Sequence, residues 1–395
     1  MLLGLGVSVL NTRLLGPQQF GDLRFLQSLF TVSATILTFG VFISGSTLLA
    51  QKKNEMIKRE LLGNLILFAL FISIVLAIGL YSFSFFQDSI FHNNLGVVIR
   101  TLSPLVMVYP FKLCIEKSLV GDNRVYMLSI LNTVPSAIYL IGAFSVNYIS
   151  PLSVTSSLVI QLAALGALVS LCILILKPTF INAKRNLLSI WTQNMIYGYH
   201  VYIGVLTGVG TNHLAGLLIA YYVDNTNVGF YSLAITVTMP LAMVADAVGT
   251  TYFKHFTNLP AIPRRLTLVT ILLSVSSLIV FLLIVDRVVI FAFSEKYSAS
   301  IPIAYIVSLG SVAHGFGDYF NRFLGSHGKG KAMRNGSIVV GISNVLGFMI
   351  LVRYFGVLGA AVANTFSSFV YLAVRYYPYH KSTRDINALC KMELG

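Results

Sequence analysis

Twelve apolar stretches, most of 20 residues or more, run almost end to end through this chain and leave little room for anything else. With soft ends they cover 2–15, 25–50, 61–86, 95–117, 125–147, 154–176, 194–222, 229–253, 266–286, 300–324, 335–355 and 357–377. A hydrocarbon core about 30 Å thick is crossed by about 20 helical residues rising about 1.5 Å each. Charged residues make up 10% of the chain and mean hydropathy is +0.82. A soluble domain carries about 25% charged residues, so the solvent of this chain must be lipid. Backbone groups in lipid can bond only to one another, which makes helices the default. Strands of a barrel would alternate over segments of about ten residues, and these stretches do not. The fold class expected is an all-α polytopic membrane protein.

Joins between stretches recur. Leu14-Leu15-Gly16-Pro17-Gln18-Gln19-Phe20-Gly21 links the first two, with Gly-Pro as a strong breaker. Gly229 closes a similar join 208 residues after Gly21, and the loop at Gly330 follows the one at Gly121 by 209. Two matched joins at one offset suggest two copies of a half. The expected organisation is a six-helix lobe over 1–180, a polar linker over 181–193 and a second six-helix lobe over 194–395. The first stretch offers at most 15 residues, roughly 22 Å of helix, so a shortened first helix and a start codon upstream of Met1 are expected.

The net charge of +14 at first suggests nucleic acid, but its placement tracks topology. Of 27 basic residues, 21 fall in alternate connections and the tail; only Arg13, Arg24, Arg100, Arg287, Lys296 and Arg353 lie toward the other side. The positive-inside rule then puts the 21 and the C-terminus in the cytoplasm. Cys114, Cys172 and Cys390 form neither a metal spacing nor a disulfide framework. The outer connections are short, and none could fold as a catalytic domain. Gly325-Ser326-His327-Gly328-Lys329-Gly330-Lys331-Ala332 nearly spells a phosphate-binding loop. Ala332 stands where a hydroxyl is required, and a membrane helix precedes it instead of a strand. No cofactor or metal site is expected.

Ionisable groups at membrane depth are costly and therefore candidates for function. Asp246 lies well inside the eighth stretch and His213 inside the seventh. His314, Asp318 and Arg322 repeat every fourth residue, on one helix face. That stripe reads either as an internally paired, snorkelling face or as a cavity wall carrying a proton or cation. Arg13 and Arg24 flank the opening turn beside Asp22, and Arg100 and Lys112 bracket the fourth stretch, with Glu116 one turn beyond Lys112. These cations either anchor helix ends at the headgroups or offer charge to an anionic cargo. Pro104, Pro110, Pro135 and Pro240 fall inside stretches, where they kink helices for packing or for bending between two states.

The opening Arg13-Leu14-Leu15-Gly16-Pro17 with Phe20-Gly21, the Val228-Gly229-Phe230-Tyr231 join, the Gly328-Lys329-Gly330-Lys331 loop and the run Phe355-Gly356-Val357-Leu358-Gly359-Ala360-Ala361-Val362-Ala363 resemble the bacterial polysaccharide-export flippases. These are the O-antigen (Wzx-type) transporters of the multidrug/oligosaccharidyl-lipid/polysaccharide exporter superfamily. The resemblance implies a two-lobed, multidrug-exporter-like fold of about 12 helices in the bacterial inner membrane. It implies a cargo, an undecaprenyl-diphosphate-linked oligosaccharide, moved from the cytoplasmic to the periplasmic leaflet by alternating access among membrane lipids. Proton or sodium influx as the drive, and a polysaccharide polymerase and chain-length regulator as partners, are implied in the same way. A diphosphate leaving water needs Arg or Lys, for which Arg13, Arg24, Arg100 and Lys112 are the candidates; Asp246, His314 and Asp318 are those for ion coupling. Two rivals stay open. A multidrug or small-solute antiporter of the same fold should favour acidic cavity groups, and acidic residues number only 13. A membrane polymerase would need a large outer loop.

Overall fold

The computed structural model describes residues 2–181 and 183–393, with all of their side chains except those of 2, 183, 207, 211, 212, 331, 382 and 384–393. The apolar stretches are helices. In order these are α1 Leu2–Leu37, α2 Val41–Gln51, α3 Glu55–Phe91, α4 Gly96–Val106, α5 Val108–Gly121, α6 Val125–Ile149 and α7 Val154–Leu176. There follow α8 Ala183–Gln193, α9 Tyr199–Tyr222, α10 Asn225–Phe256, α11 Arg264–Val288, α12 Ser300–Ser326 and α13 Gly330–Glu393. Among the described residues seven helices are long and apolar enough to cross a membrane, or ten when each sharply bent pair counts as one span. Dividing α1 at Gly16 (φ 73°) and α13 at Gly356 (φ 57°), where the backbone leaves helical geometry, brings the segments to twelve. Phe71, Ile78, Ile141, Phe144 and Leu283 stand 62–74% exposed on these helices, an apolar surface suited to acyl chains. This is a multi-pass membrane protein.

The chain forms two compact units, residues 1–209 with 224–226 and residues 210–223 with 227–395. In the first unit one core joins Val41, Phe42, Leu65, Ile72, Cys114 and Ile190, and a second joins Leu62, Ile115, Leu119, Leu131 and Cys172. Ile190 belongs to α8, so Ala183–Gln193 of the segment expected as a linker is helical and packs Ile190 into this unit. The core of the second unit is aromatic: Phe256, Tyr319, Phe320 and Phe323 gather with Ala245 and Ile262.

Two details of the first unit depart from the expected segments. The helix resumes at Pro17, where a fixed φ suits a first helical position, so residues 17–24 are helix and not connection. The stretch 25–50, expected as one span, is broken: α1 and α2 meet at 63°. Phe39 (φ 44°) and Gly40 (φ 84°) make the break. The carbonyl of Ile36 accepts the Tyr202 hydroxyl at 2.5 Å, and that of Phe39 accepts Asn194 Nδ2 at 3.0 Å. Ser44 donates to Asn194 Oδ1 at 3.0 Å. Asn194 opens a single π-helical turn, Asn194–Gly198, between α8 and α9. A Cβ on Gly40 would lie 2.6 Å from the Gly198 carbonyl oxygen, so the two backbones meet where only glycine fits.

Candidate functional site

Within the second unit, α10, α12 and α13 wall a cavity of about 400 Å³. Asp246 of α10, Ser311, His314 and Asp318 of α12, and Asn344, Asn364, Ser367 and Ser368 of α13 line it, together with Ile235, Met239, Ala242, Met243 and Val340. Asp246 lies ten residues before the end of α10, and His314 twelve before the end of α12. At 1.5 Å per residue these depths are roughly 15 and 18 Å.

The ionic contacts run between helices. Arg322 donates to Asp246 through Nε at 3.0 Å and Nη2 at 3.4 Å. Asp318 Oδ1 accepts the Tyr371 hydroxyl at 2.7 Å, while Oδ2 lies 3.8 Å from His314 Nε2. The His314 ring stacks on Tyr371 with centroids 4.6 Å apart and planes at 26°. The α12 stripe therefore does not pair only along itself: Arg322 turns to α10, and Asp318 is shared with α13. The side chains of Asp246, Asp318, His314 and Arg322 are 29%, 31%, 44% and 44% exposed. Charges at this depth are costly against acyl chains, and three of the four, Asp246, His314 and Asp318, face the cavity.

Tyr371 and Arg375 went unassigned from the sequence. Arg375 reads there as one more basic residue at a helix end, yet it is only 3% exposed. It donates to the Met333 carbonyl at 2.7 Å and to Ser337 Oγ at 2.8 Å, with its guanidinium 5.0 Å from the Tyr371 ring. The available signal is the one-turn spacing of Tyr371 and Arg375 opposite Gly317, whose missing Cβ leaves room for the Tyr371 ring.

In the first unit the polar interior gathers around Arg24. Its Nη2 donates to Ser8 Oγ at 2.9 Å and its Nη1 to Gln27 Oε1 at 3.3 Å, with the guanidinium 5.0 Å from the Phe20 ring centroid. Gln27 Nε2 continues to Gln161 Oε1 at 2.8 Å, and Tyr139 bonds Asn11 nearby. Arg24 Nε is buried without a partner, and among the described residues no carboxylate pairs with this guanidinium. Asp22, two residues away, instead accepts Asn225 Nδ2 at 2.6 Å.

The other expected cations sit differently. Arg13 is exposed on α1, three residues before the Gly16 break. Arg100 lies 3.9 Å over the Phe85 ring and donates to Ser84 Oγ at 3.3 Å, which ties α4 to α3. Lys112 pairs with Glu116 one turn on at 2.9 Å and is already neutralised. Arg24 and Arg100 are both half-buried among neutral partners, and of the four candidates Arg24 is the one with a guanidinium nitrogen sealed from solvent without a hydrogen bond.

A family model described as polysaccharide biosynthesis protein matches residues 1–253. Among solved structures, the lipid II flippase MurJ in its inward closed conformation aligns with a TM-score of 0.74 at 16% identity, over 98% of this chain and 87% of the flippase. An inward-facing multidrug resistance MATE family transporter of the MOP superfamily aligns with a TM-score of 0.71 at 14% identity, over 99% and 95%. A MOP superfamily transporter from Pyrococcus furiosus, described as having a binding pocket of reverse polarity, aligns at 0.53 and 14%, over 98% and 92%. No curated protein matches the sequence. The fold is the multidrug-exporter-like fold.

Proposed function

The chain belongs to the polysaccharide biosynthesis protein family, and on that premise we propose that it is a flippase for undecaprenyl-diphosphate-linked O-antigen repeat units. The cargo crosses from the cytoplasmic to the periplasmic leaflet of the bacterial inner membrane as two lobes, 1–180 and 194–395 joined by 181–193, alternate access. A polymerase and a chain-length regulator take up the product. The C-terminus is cytoplasmic.

The observation that carries this reading is Arg24, a half-buried guanidinium whose Nε is sealed from solvent without a partner and whose hydrogen bonds go to neutral groups alone. Such a cation is costly at membrane depth unless an anion meets it, and a diphosphate supplies charge and acceptors together. Arg13 extends the same helix as a second contact. Arg100 and Lys112 join once the Phe85 stack and the Glu116 pair release. Asp246, His314 and Asp318 couple the cycle to proton or sodium influx, because a proton on His314 or Asp318 changes the contact between them.

The two carboxylates on the cavity of the second unit favour a second reading, an antiporter of small cations. Against it, Asp246 and Asp318 already accept from Arg322 and Tyr371. The test is proteoliposome flipping of an undecaprenyl-diphosphate oligosaccharide labelled on the inner face, with an impermeant glycan-modifying enzyme outside. Protein-dependent arrival that falls at least tenfold in Arg24→Met and recovers in Arg24→Lys is expected. Arrival unchanged by Arg24→Met, or absent with folded native protein, rejects the diphosphate role or the flippase itself, respectively.

A further inference from the structure

We infer that the cavity of the second unit receives the sugar part of the cargo, with Ser311, Asn344, Asn364, Ser367 and Ser368 reading its hydroxyls. This rests on the flippase reading above and adds where the glycan is held. About 400 Å³ lies in the range of small-molecule sites. Ser311, Asn344 and Asn364 carry groups able to donate and to accept, whereas Ser367 and Ser368 give their protons to Ser343 Oγ and the Asn364 carbonyl and offer lone pairs. A sugar hydroxyl both donates and accepts. A diphosphate asks for donors only, and neither nearby guanidinium is part of the lining: Arg322 is held by Asp246, and Arg375, whose Nε has no partner, is turned to Met333 and Ser337. An organic cation asks for unengaged carboxylates, whereas Asp246 and Asp318 hold Arg322 and Tyr371. Those carboxylates keep lone pairs for hydroxyl donors.

The apolar part of the lining completes the match. Ile235, Met239, Ala242 and Met243 lie along α10 at helical spacing, and the amides and hydroxyls come from α12 and α13. A wall apolar along one helix and hydrogen-bonding along two others suits a pyranose ring, which carries C–H faces and a hydroxyl rim. The charges facing the cavity favour water in it, so a glycan exchanges water for protein partners without entering lipid.

The test compares two probes in the proteoliposome assay, an undecaprenyl-diphosphate tetrasaccharide and an undecaprenyl-diphosphate single N-acetylhexosamine. The ratio of their rates does not depend on how much protein is folded. Ser311→Leu and Asn364→Leu each lower the tetrasaccharide-to-monosaccharide ratio about tenfold, the equivalent of one lost hydrogen bond. Leu283→Ala, on the apolar exterior, keeps the native ratio. As a second readout, Ser311→Cys is labelled with a water-soluble maleimide and read at that residue by mass spectrometry. The tetrasaccharide lipid slows labelling at least fivefold and the monosaccharide lipid does not. Native ratios in both leucine variants, or equal protection by both lipids, overturn the assignment. Native protein that moves neither probe rejects the flippase reading itself.

Discussion

The Asp246–Arg322 pair gives a prediction whose size follows from its geometry. Two N–H groups reach the carboxylate at 3.0 and 3.4 Å, with the side chains 29% and 44% exposed. A fully solvated pair is worth about 0.2–1 kcal/mol, and a hydrogen bond to a charged group about 1.5–3 kcal/mol. With this exposure the pair lies between, at a coupling of about 1–1.5 kcal/mol. The two single variants should not cost the same. Asp246→Ala leaves Arg322 within reach of a second anion, Asp318. Arg322→Ala strands Asp246 at depth, so it should cost more, by about 1 kcal/mol. The assay is reversible unfolding in mixed micelles of the native chain, both single variants and the double variant. Costs that add to within about 0.5 kcal/mol would refute the pairing. A larger loss for Asp246→Ala than for Arg322→Ala would refute the role given to Asp318.

Gly40→Ala forces a Cβ against the Gly198 carbonyl at a positive φ and should lower stability by about 2 kcal/mol or more, whereas Gly204→Ala, which meets nothing within 4 Å, should not; thermal unfolding of the two variants decides. Gly317→Ala drives a methyl into the Tyr371 ring and should displace it from Asp318, costing about 1–3 kcal/mol, unless Tyr371→Ala is also present to relieve the clash. At the loop face, burial alone would raise the Asp122 pKa, but bonds from Lys58 at 2.6 Å and from Arg124 outweigh it and the net shift is downward. A depressed acid adds stability above its unfolded pKa and loses it as pH falls through the folded value. The melting-temperature gap between native protein and Asp122→Asn should therefore hold steady from about pH 8 to pH 5 and close below about pH 4. A gap that already closes by pH 6 would contradict the network.

Span number was legible because lipid demands long apolar runs, and a glycine or proline marks most joins. The break at residues 38–40 was not. Thr38-Phe39-Gly40 sits inside an unbroken apolar run, and its stabilising partners, Asn194 and Tyr202, lie 155 and 166 residues away. Asp246, His314 and Asp318 stood out because charge inside an apolar stretch is rare, and they line one cavity. Tyr371 did not, because tyrosine is ordinary in membrane helices, and Arg375 was absorbed by the topology of its neighbours. Lys112 and Glu116 were visible as a one-turn pair; the stack of Arg100 on Phe85 joins two helices and leaves no local trace.

The broken second span also sets an order of events at the ribosome. Its two open carbonyls are closed by side chains that are translated 155 and 166 residues later. At about 5–20 residues per second that interval is roughly 10–30 s, long compared with helix formation. A bare carbonyl cannot wait that long in lipid. The nascent segment is therefore expected to enter as a straight helix and to bend when α8 and α9 emerge. A chain ended after residue 180 would keep the straight form, and a cysteine at Phe39 in that truncated chain would be shielded from water-soluble reagents. The 63° angle would then be a tertiary event recorded in a secondary element.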